Sequence, residues 1–444
     1  MRTSSWLGLS FAAILFPFAH GGCSSSSSSG AGGGTTTGST TSGGNDTCDA
    51  SVDVSGCDTV IAASADDTTR VQTALIEAKS NSTVCLCPGS FAIKQQLSLT
   101  VPGVTFRGAG KEIGDTVIDF SGAEKGASGN DTMLVTADHF TIENLTVKNT
   151  PGNGVVVRQA DHPTFRKLHV SWDGPTKASN GAYAIYPAEC SHVLVEDCEV
   201  FGASDAAIYV GQGTGALIRN NKAHDSVLGI ELENTTDGEA YGNETYNNAG
   251  GLAVFLLTNL NKKDSNRILL HDNKVHDNNH ENFGDPKTIV SAVPPGTGII
   301  VMAADDVEVR DNTVTGNDSA GVLVVDYQLL SALVSGAKPD PNTDPDPERI
   351  SVHDNTFDNN GMAPSSALQL IGVMPLENVL WDGISKSGVP ESNDAKFCLG
   401  SKGPYPSFRM FAGAHIGDKS KQSTDTTPYQ CDLPAVPAQP EPSP

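Results

Sequence analysis

Residues 216–234 read Ala-Leu-Ile-Arg-Asn-Asn-Lys-Ala-His-Asp-Ser-Val-Leu-Gly-Ile-Glu-Leu-Glu-Asn, and this phrase returns along the chain. Its first half, apolar-x-[DN]-N-x-apolar, is Ile218-Arg219-Asn220-Asn221-Lys222-Ala223. It recurs as Leu270-His271-Asp272-Asn273-Lys274-Val275, Val309-Arg310-Asp311-Asn312-Thr313-Val314 and Val352-His353-Asp354-Asn355-Thr356-Phe357. Weaker copies put Leu145, Leu168, Cys198 and Asn243 in the same register. The second half, small-apolar-x-apolar, is Gly229-Ile-Glu-Leu232. It recurs from Gly154, Ala184, Ala207, Gly251, Gly298 and Gly321, and as Ala367-Leu-Gln-Leu370. Uninterrupted copies are 22 or 23 residues apart.

Each unit therefore predicts two short strands with period-2 alternation, separated by Asn and Gly turns. Twenty-two residues are too few for a helical crossover, yet each strand must pair with its copy in the next unit. Coiling the chain so that each turn stacks on the last, about 4.8 Å away, satisfies both demands. The fold class predicted is a parallel β-helix over residues 83–371. Leucine-rich repeats are the competing solenoid, but these units lack their regular leucine set. Asn221, Asn243, Asn273, Asn312 and Asn355 are expected to form a ladder at one corner, where amides bond along the stack and Asn tolerates left-handed backbone.

Composition agrees. The 444 residues include 46 Gly and 28 Asn, with 18% charged residues and a formal net charge of −24. That balance excludes a coiled coil, and it lacks the basic face that nucleic-acid binding requires. The start of the chain sets the compartment. Arg2, an apolar run from Trp6 to Ala19 and the small residues before Cys23 read as a secretory signal over 1–22. Cys23 opens a Ser/Gly/Thr tract, 23–47, that reads as a flexible tether. The arrangement resembles a bacterial lipoprotein signal, implying acylation of Cys23 and a membrane partner through that anchor. An ordinary cleaved signal peptide is the alternative. Either places the chain in the cell envelope, as an outer-membrane lipoprotein, or outside the cell, as a monomer.

Eight further cysteines suit an oxidising compartment. Cys48 with Cys57 and Cys398 with Cys431 are the expected disulfides, each flanking an end of the folded body. Cys85 and Cys87, two apart on one strand face, are expected in structural roles, and Cys198 as a buried thiol or paired with Cys190. The run Asp66–Lys79 predicts a capping helix with Val71, Leu75 and Ile76 on one face, inside an N-terminal cap of 48–82. After Ile371 the repeat fades into a C-terminal cap of 372–432, and the Pro-rich tail 433–444 reads as disordered.

Function is expected where the repeat is interrupted. Insertions at 171–181 and 279–297 precede the second strand, and those at 256–266 and 326–348 follow it, so all four border one strand face. Tyr186, Tyr209 and Glu231 form one outward column on that face, and Glu233 and Phe255 the next. Aromatic rings beside carboxylates in a walled trough suit a polysaccharide, with Gln212 and Trp172 as further contacts. Equally, outward Tyr and Glu are good strand formers. Glu231 and Glu233, pointing the same way about 5–8 Å apart, fall within the range of glycosidase carboxylate pairs, with Asp205 as a third acid. The same acids are alternatively hydroxyl or Ca²⁺ ligands, and no cofactor is otherwise implied. His271, His276 and His280 lack the i, i+4 metal spacing. Glu143, Arg166, Glu196 and Arg219 form an ion-pair ladder with a structural role.

The segments Asn180–Pro187, Gly202–Gln212, Gly229–Asn234 and Gly296–Ala303 resemble the motifs of a family of secreted parallel β-helix repeat proteins that has no established reaction. The resemblance spans roughly residues 83–400. It implies a single-stranded right-handed coil, with fold-level similarity to pectate lyases, polygalacturonases and mannuronan epimerases. Their catalytic motifs are not matched. Asp305-Asp306 stands without a G-H-G or R-I-K set, Asp161-His162-Pro163 has the wrong order for Y-G-x-D-P-H, and Ser171-Trp172-Asp173 is only partly like W-I-D-H. Two readings follow: a polysaccharide-binding protein that cleaves or modifies its ligand as a lyase, hydrolase or epimerase, or a non-catalytic adhesive scaffold. An acidic trough repels a polyuronate unless Ca²⁺ bridges it.

Overall fold

In the computed structural model, residues 47–441 are described apart from 125–130, 334–336, 386–392 and 394–395. The expected signal segment, Cys23 and nearly all of the tether lie outside the described residues.

The repeat coils as its spacing requires. Strands of 19 and 11 members make two sheets, and neighbouring strands run parallel throughout the paired registers. Equivalent residues one coil apart are 22 residues apart where no insertion intervenes, as in Thr214↔Thr236, Lys222↔Glu244 and Leu228↔Gly250. This is a parallel β-helix.

Two early coils hold the expected two strands, Thr141–Lys148 with Asn153–Arg158 and Thr164–Ser171 with Tyr183–Ala188. From Ser191 onward the first strand breaks and a coil holds three, as in Thr214–Arg219, Lys222–His224 and Leu228–Glu233. The break within the first phrase falls at Asn220, whose φ of 57° turns the chain out of the strand. Asp272, Asp311 and Asp354 occupy the same left-handed position (φ 51–54°). The ladder residue is therefore the next one along. Asn221, Asn243, Asn273, Asn312 and Asn355 pass Nδ2 hydrogens to successive Oδ1 atoms at 3.0 Å, and Nδ2 also serves a carbonyl of the coil before. A second ladder that the repeat did not reveal runs through Asn248, Asn278, Asn317 and Asn360 at 3.0–3.1 Å. These bonds satisfy two corners of the later coils within the stack, and the inward Val, Ile and Leu form one continuous core.

The ends depart further from expectation. Helix α1 (Asp67–Glu77) buries Val71 and Leu75, but Ile76 is 67% exposed, a residue too far round to share their face. Cys48 bonds to Cys87 and Cys57 to Cys85, correcting the expected Cys48–Cys57 pair. The first-coil strand presents Cys85 and Cys87 to the preceding segment, so each takes one of its cysteines. Cys398–Cys431 forms as expected. Cys190 and Cys198 are free, buried thiols. Burial pushes them up to about 11 and about 12.

Ala367–Leu370 is not a strand. It lies on a short helix α2 (Ser366–Gln369), and Leu370 is 51% exposed. The second sheet continues instead through Val379–Trp381 and Phe408–Met410, so the solenoid runs well past residue 371. Nor is the tail structureless as far as it is described. Val436 N–H donates to Glu308 Oε2 at 2.7 Å and Gln439 N–H to Glu239 Oε2 at 2.6 Å, while Glu441 pairs with Arg219 at 2.6 Å. Glu308 and Glu239 stand two coils apart, about 9.6 Å. Three residues in a polyproline conformation span about 9.3 Å, so the tail is commensurate with the ladder that it crosses.

Candidate functional site

The outward register on the second sheet is as the sequence implied. Tyr209 pairs with Glu231 and Glu231 with Ala253, while Gly211 pairs with Glu233 and Glu233 with Phe255. What differs is the cover. Glu231, Glu233 and Asp205 are only 3%, 6% and 9% exposed, so the open trough expected between four loops is closed.

The insertions close it in pairs. His280 on 279–297 reaches Thr176 on 171–181 at 3.2 Å. Thr258 on 256–266 meets the Tyr327 hydroxyl at 3.2 Å, and Lys263 pairs with Asp340 at 2.8 Å, both partners lying on 326–348. Their apolar residues fold down onto the sheet. Val290, Val293 and Tyr327 pack with Leu228, Phe255 and Met302 in a second hydrophobic cluster. Alternation explains why the sequence misled: outward Phe255, Ile300 and Met302 are apolar because loops cover them.

Three expected ligand contacts thus have structural duties. Phe255 is buried in this cluster, beside an apolar cavity of about 350 Å³ bounded by Met302, Val325, Leu330 and Phe411. The Trp172 indole belongs to the main core and donates its N–H to the Thr150 carbonyl at 2.7 Å. Gln212 Oε1 accepts the backbone N–H groups of Asn261 and Lys262 at 2.8 and 3.2 Å, pinning the 256–266 loop.

Asp205, Glu231 and Glu233 do come together, under a group of tyrosines. The ring centres of Tyr183, Tyr186 and Tyr209 are 4.4–5.0 Å apart. Tyr209 donates its hydroxyl hydrogen to Glu233 Oε1 at 2.7 Å. Gly211 makes this possible, since a Cβ there would stand 2.1 Å from the Tyr209 hydroxyl oxygen. Tyr183 and Asp205 lie near enough for each to shift the other's pKa. Tyr183 was not anticipated, although it begins the Tyr183–Ala188 strand, three residues before the expected Tyr186. Arg158 lies 5.0 Å from the Tyr186 ring centre and pairs with Asp131 at 3.0 Å. Tyr183, Tyr186 and Arg158 are half-buried and form the solvent side of the cluster.

Burial dominates the electrostatics. It raises Asp205 to about 7, helped by the charge of Glu233 and opposed by the nearby Tyr183. It raises Glu233 to about 7, opposed by the Tyr209 hydrogen bond and by Glu231. Glu231 is pushed far above the carboxylate range by burial, then by the charges of Glu233 and Asp205. Glu231 and Glu233 titrate as a coupled pair, and the buried Glu231 Oε2 has no hydrogen-bond partner. The cluster is also far less negative near neutral pH than a count of acids suggests.

Elsewhere, the predicted ion-pair ladder is present. Arg166 bridges Glu196 and Glu143, and Arg219 holds Glu196 at 2.8 Å. His271, His276 and His353 each have both ring nitrogens within 2.6–3.2 Å of carboxylates. Asp305 and Asp306 are taken by Arg349 at 3.2 and 2.7 Å.

Residues 174–331 match the family model described as right handed beta helix region, and the coil is right-handed. No curated protein matches the sequence. The A-module of mannuronan C-5 epimerase AlgE6 from Azotobacter vinelandii is a similar solved structure at 18% identity, covering 73% of this chain and 79% of that one with a TM-score of 0.48. The catalytic unit of a thermostable GH87 α-1,3-glucanase from Streptomyces thermodiastaticus is similar at 15% identity, covering 68% of this chain and 46% of that one, with a TM-score of 0.42.

Proposed function

We propose that this protein is an envelope or secreted protein that binds a polysaccharide against Tyr183, Tyr186 and Arg158 and performs acid–base chemistry on it with the carboxyl cluster. One observation carries the reading. Glu233 and Asp205 sit at about 7, where a group is protonated and deprotonated in comparable amounts, and such a group is suited to giving and taking protons. Tyrosine faces stack on the apolar faces of sugar rings, and Arg158 adds a cation for an acidic sugar. Glu231 and Glu233, two residues apart on one strand and both buried beneath the tyrosines, suit proton transfer on a sugar ring. Three disulfides suit folding in an oxidising compartment.

The second reading is a non-catalytic glycan-binding scaffold, favoured by the low exposure of all three acids. Incubation with a panel of neutral and uronate polysaccharides, with and without EDTA, separates them. New reducing ends, unsaturated uronates or exchange of ring hydrogens with solvent support the acid–base reading. Binding without any of these supports the scaffold. Absence of binding across the panel overturns both.

A further inference from the structure

One corner of the coil is turned by residues with left-handed backbone, one per coil. In later coils this column neutralises itself, with Asp237 bonded to Arg267 at 2.6 Å and Asp306 to Arg349 at 2.7 Å. In earlier coils the same corner carries His139, His162 and His192, at φ 54°, 55° and 53°. Their rings stack with centres 5.0 and 4.4 Å apart. The next residue in the column, Gly215, has no side chain, so the stack ends there beside a small cavity of about 220 Å³.

Asp161 is the acid beside this stack. Its Oδ1 accepts from Ser191 Oγ at 2.6 Å and lies 2.7 Å from His192 Nδ1. Its Oδ2 lies 2.9 Å from His162 Nδ1, within ion-pair distance but not aligned for a hydrogen bond. The contrast with His271, His276 and His353 is informative, since each of those satisfies its two nitrogens with two separate carboxylates. One ring nitrogen each of His139 and His162 and one oxygen of Asp161 lie within 4.8 Å of one another. A nitrogen and a carboxylate oxygen side by side without a hydrogen bond are the arrangement that a shared cation satisfies.

We propose that His139, Asp161 and His162 form a binding site for a divalent first-row transition ion of the Zn²⁺ type. Two imidazoles and one carboxylate are donors that such ions favour, and three protein ligands leave a position for water or an exogenous ligand. Ser191 and His192 fix the Asp161 carboxylate from behind, as outer-shell partners of metal ligands do. The outer torsion of histidine is soft, so turning the His139 ring out of the stack closes the donor set. The site lies on a corner between the sheets and does not depend on the polysaccharide reading.

The test is calorimetric titration of the EDTA-stripped full chain with Zn²⁺ near neutral pH, together with the visible absorption of added Co²⁺. The expected result is saturable uptake of one equivalent, at least about tenfold weaker in His162→Ala and Asp161→Asn and unchanged in His353→Gln. Intense Co²⁺ bands of a four-coordinate site accompany binding and disappear in His162→Ala. Should Asp161→Asn fail to fold, His139→Gln is read in its place. No saturable uptake by the wild type, or an affinity that His162→Ala and His139→Gln retain, overturns the proposal. Loss in His353→Gln instead assigns the uptake to adventitious surface histidines and overturns it equally.

Discussion

Tyr209 lies across Gly211 to place its hydroxyl 2.7 Å from Glu233 Oε1, a residue in the strand of the next coil. This contact joins the aromatic side of the site to the acid side, and it depends on the missing side chain at 211. Gly211→Ala is expected to push the phenol off Glu233 and cost about 1–3 kcal/mol by overpacking. Tyr209→Phe keeps the ring but removes the phenol's hydrogen bond to buried Glu233, at about 1–3 kcal/mol. Urea denaturation of both variants checks this. Wild-type midpoints in both would show that the contact contributes nothing.

The carboxyl cluster gives stability an unusual pH dependence. A carboxyl whose folded pKa is raised stabilises the fold fully below its unfolded value near 4, and that contribution is lost as pH rises through the folded value. Glu233 and Asp205 place the loss around pH 7, and Glu231 extends it upward. Asp326 and Asp382, raised mainly by burial to about 8 and about 7, act with the same sign. The melting temperature is therefore expected to fall as pH rises from about 4, the unfolded carboxylate value, through the folded values of about 7 and about 8. Glu231→Gln, which cannot ionise, is expected to melt higher than wild type at the alkaline end. A flat profile, or no gain in the variant, contradicts the assignment.

Asn273 makes four ladder contacts: it accepts from Asn243 N and Nδ2 at 3.0 Å and donates to the Ala240 carbonyl at 2.8 Å and Asn312 Oδ1 at 3.0 Å. Asn273→Ala leaves buried donors and acceptors unsatisfied on both neighbouring coils. A loss of about 2–5 kcal/mol is expected, at about 1–3 kcal/mol per orphaned group with partial relaxation. Chemical denaturation measures it.

The tail contacts are testable by hydrogen exchange. The Val436 and Gln439 amides are expected to be protected in the wild type and to exchange faster in Glu308→Ala and Glu239→Ala respectively. Equal exchange in the variants would show that the tail does not rest on these carboxylates.

The sequence made legible whatever repeats. The Tyr209–Glu231 and Glu233–Phe255 columns and the ladder from Asn221 to Asn355 follow from period and spacing alone. Features set by single long-range contacts were not legible. Outward Phe255 and Met302 look the same in sequence whether a sugar or Val293 covers them. Ala367–Leu370 matches the strand phrase, but the second sheet takes Val379–Trp381 in that place. The Cys48–Cys87 bond depends on how the N-terminal segment crosses the first coil. A Pro-rich tail usually signals disorder, and only the matching rise of tail and coils places it on Glu239 and Glu308.

The most direct test of the central claim is the pH dependence of turnover on whichever polysaccharide of the panel is modified, for wild type, Glu233→Gln and the control Arg409→Lys far along the chain. The account predicts a wild-type profile inflecting around pH 7, at least about a hundredfold loss in Glu233→Gln as for removal of a general acid–base group, and full activity in the control. Wild-type turnover in Glu233→Gln, with the inflection unmoved, would contradict it.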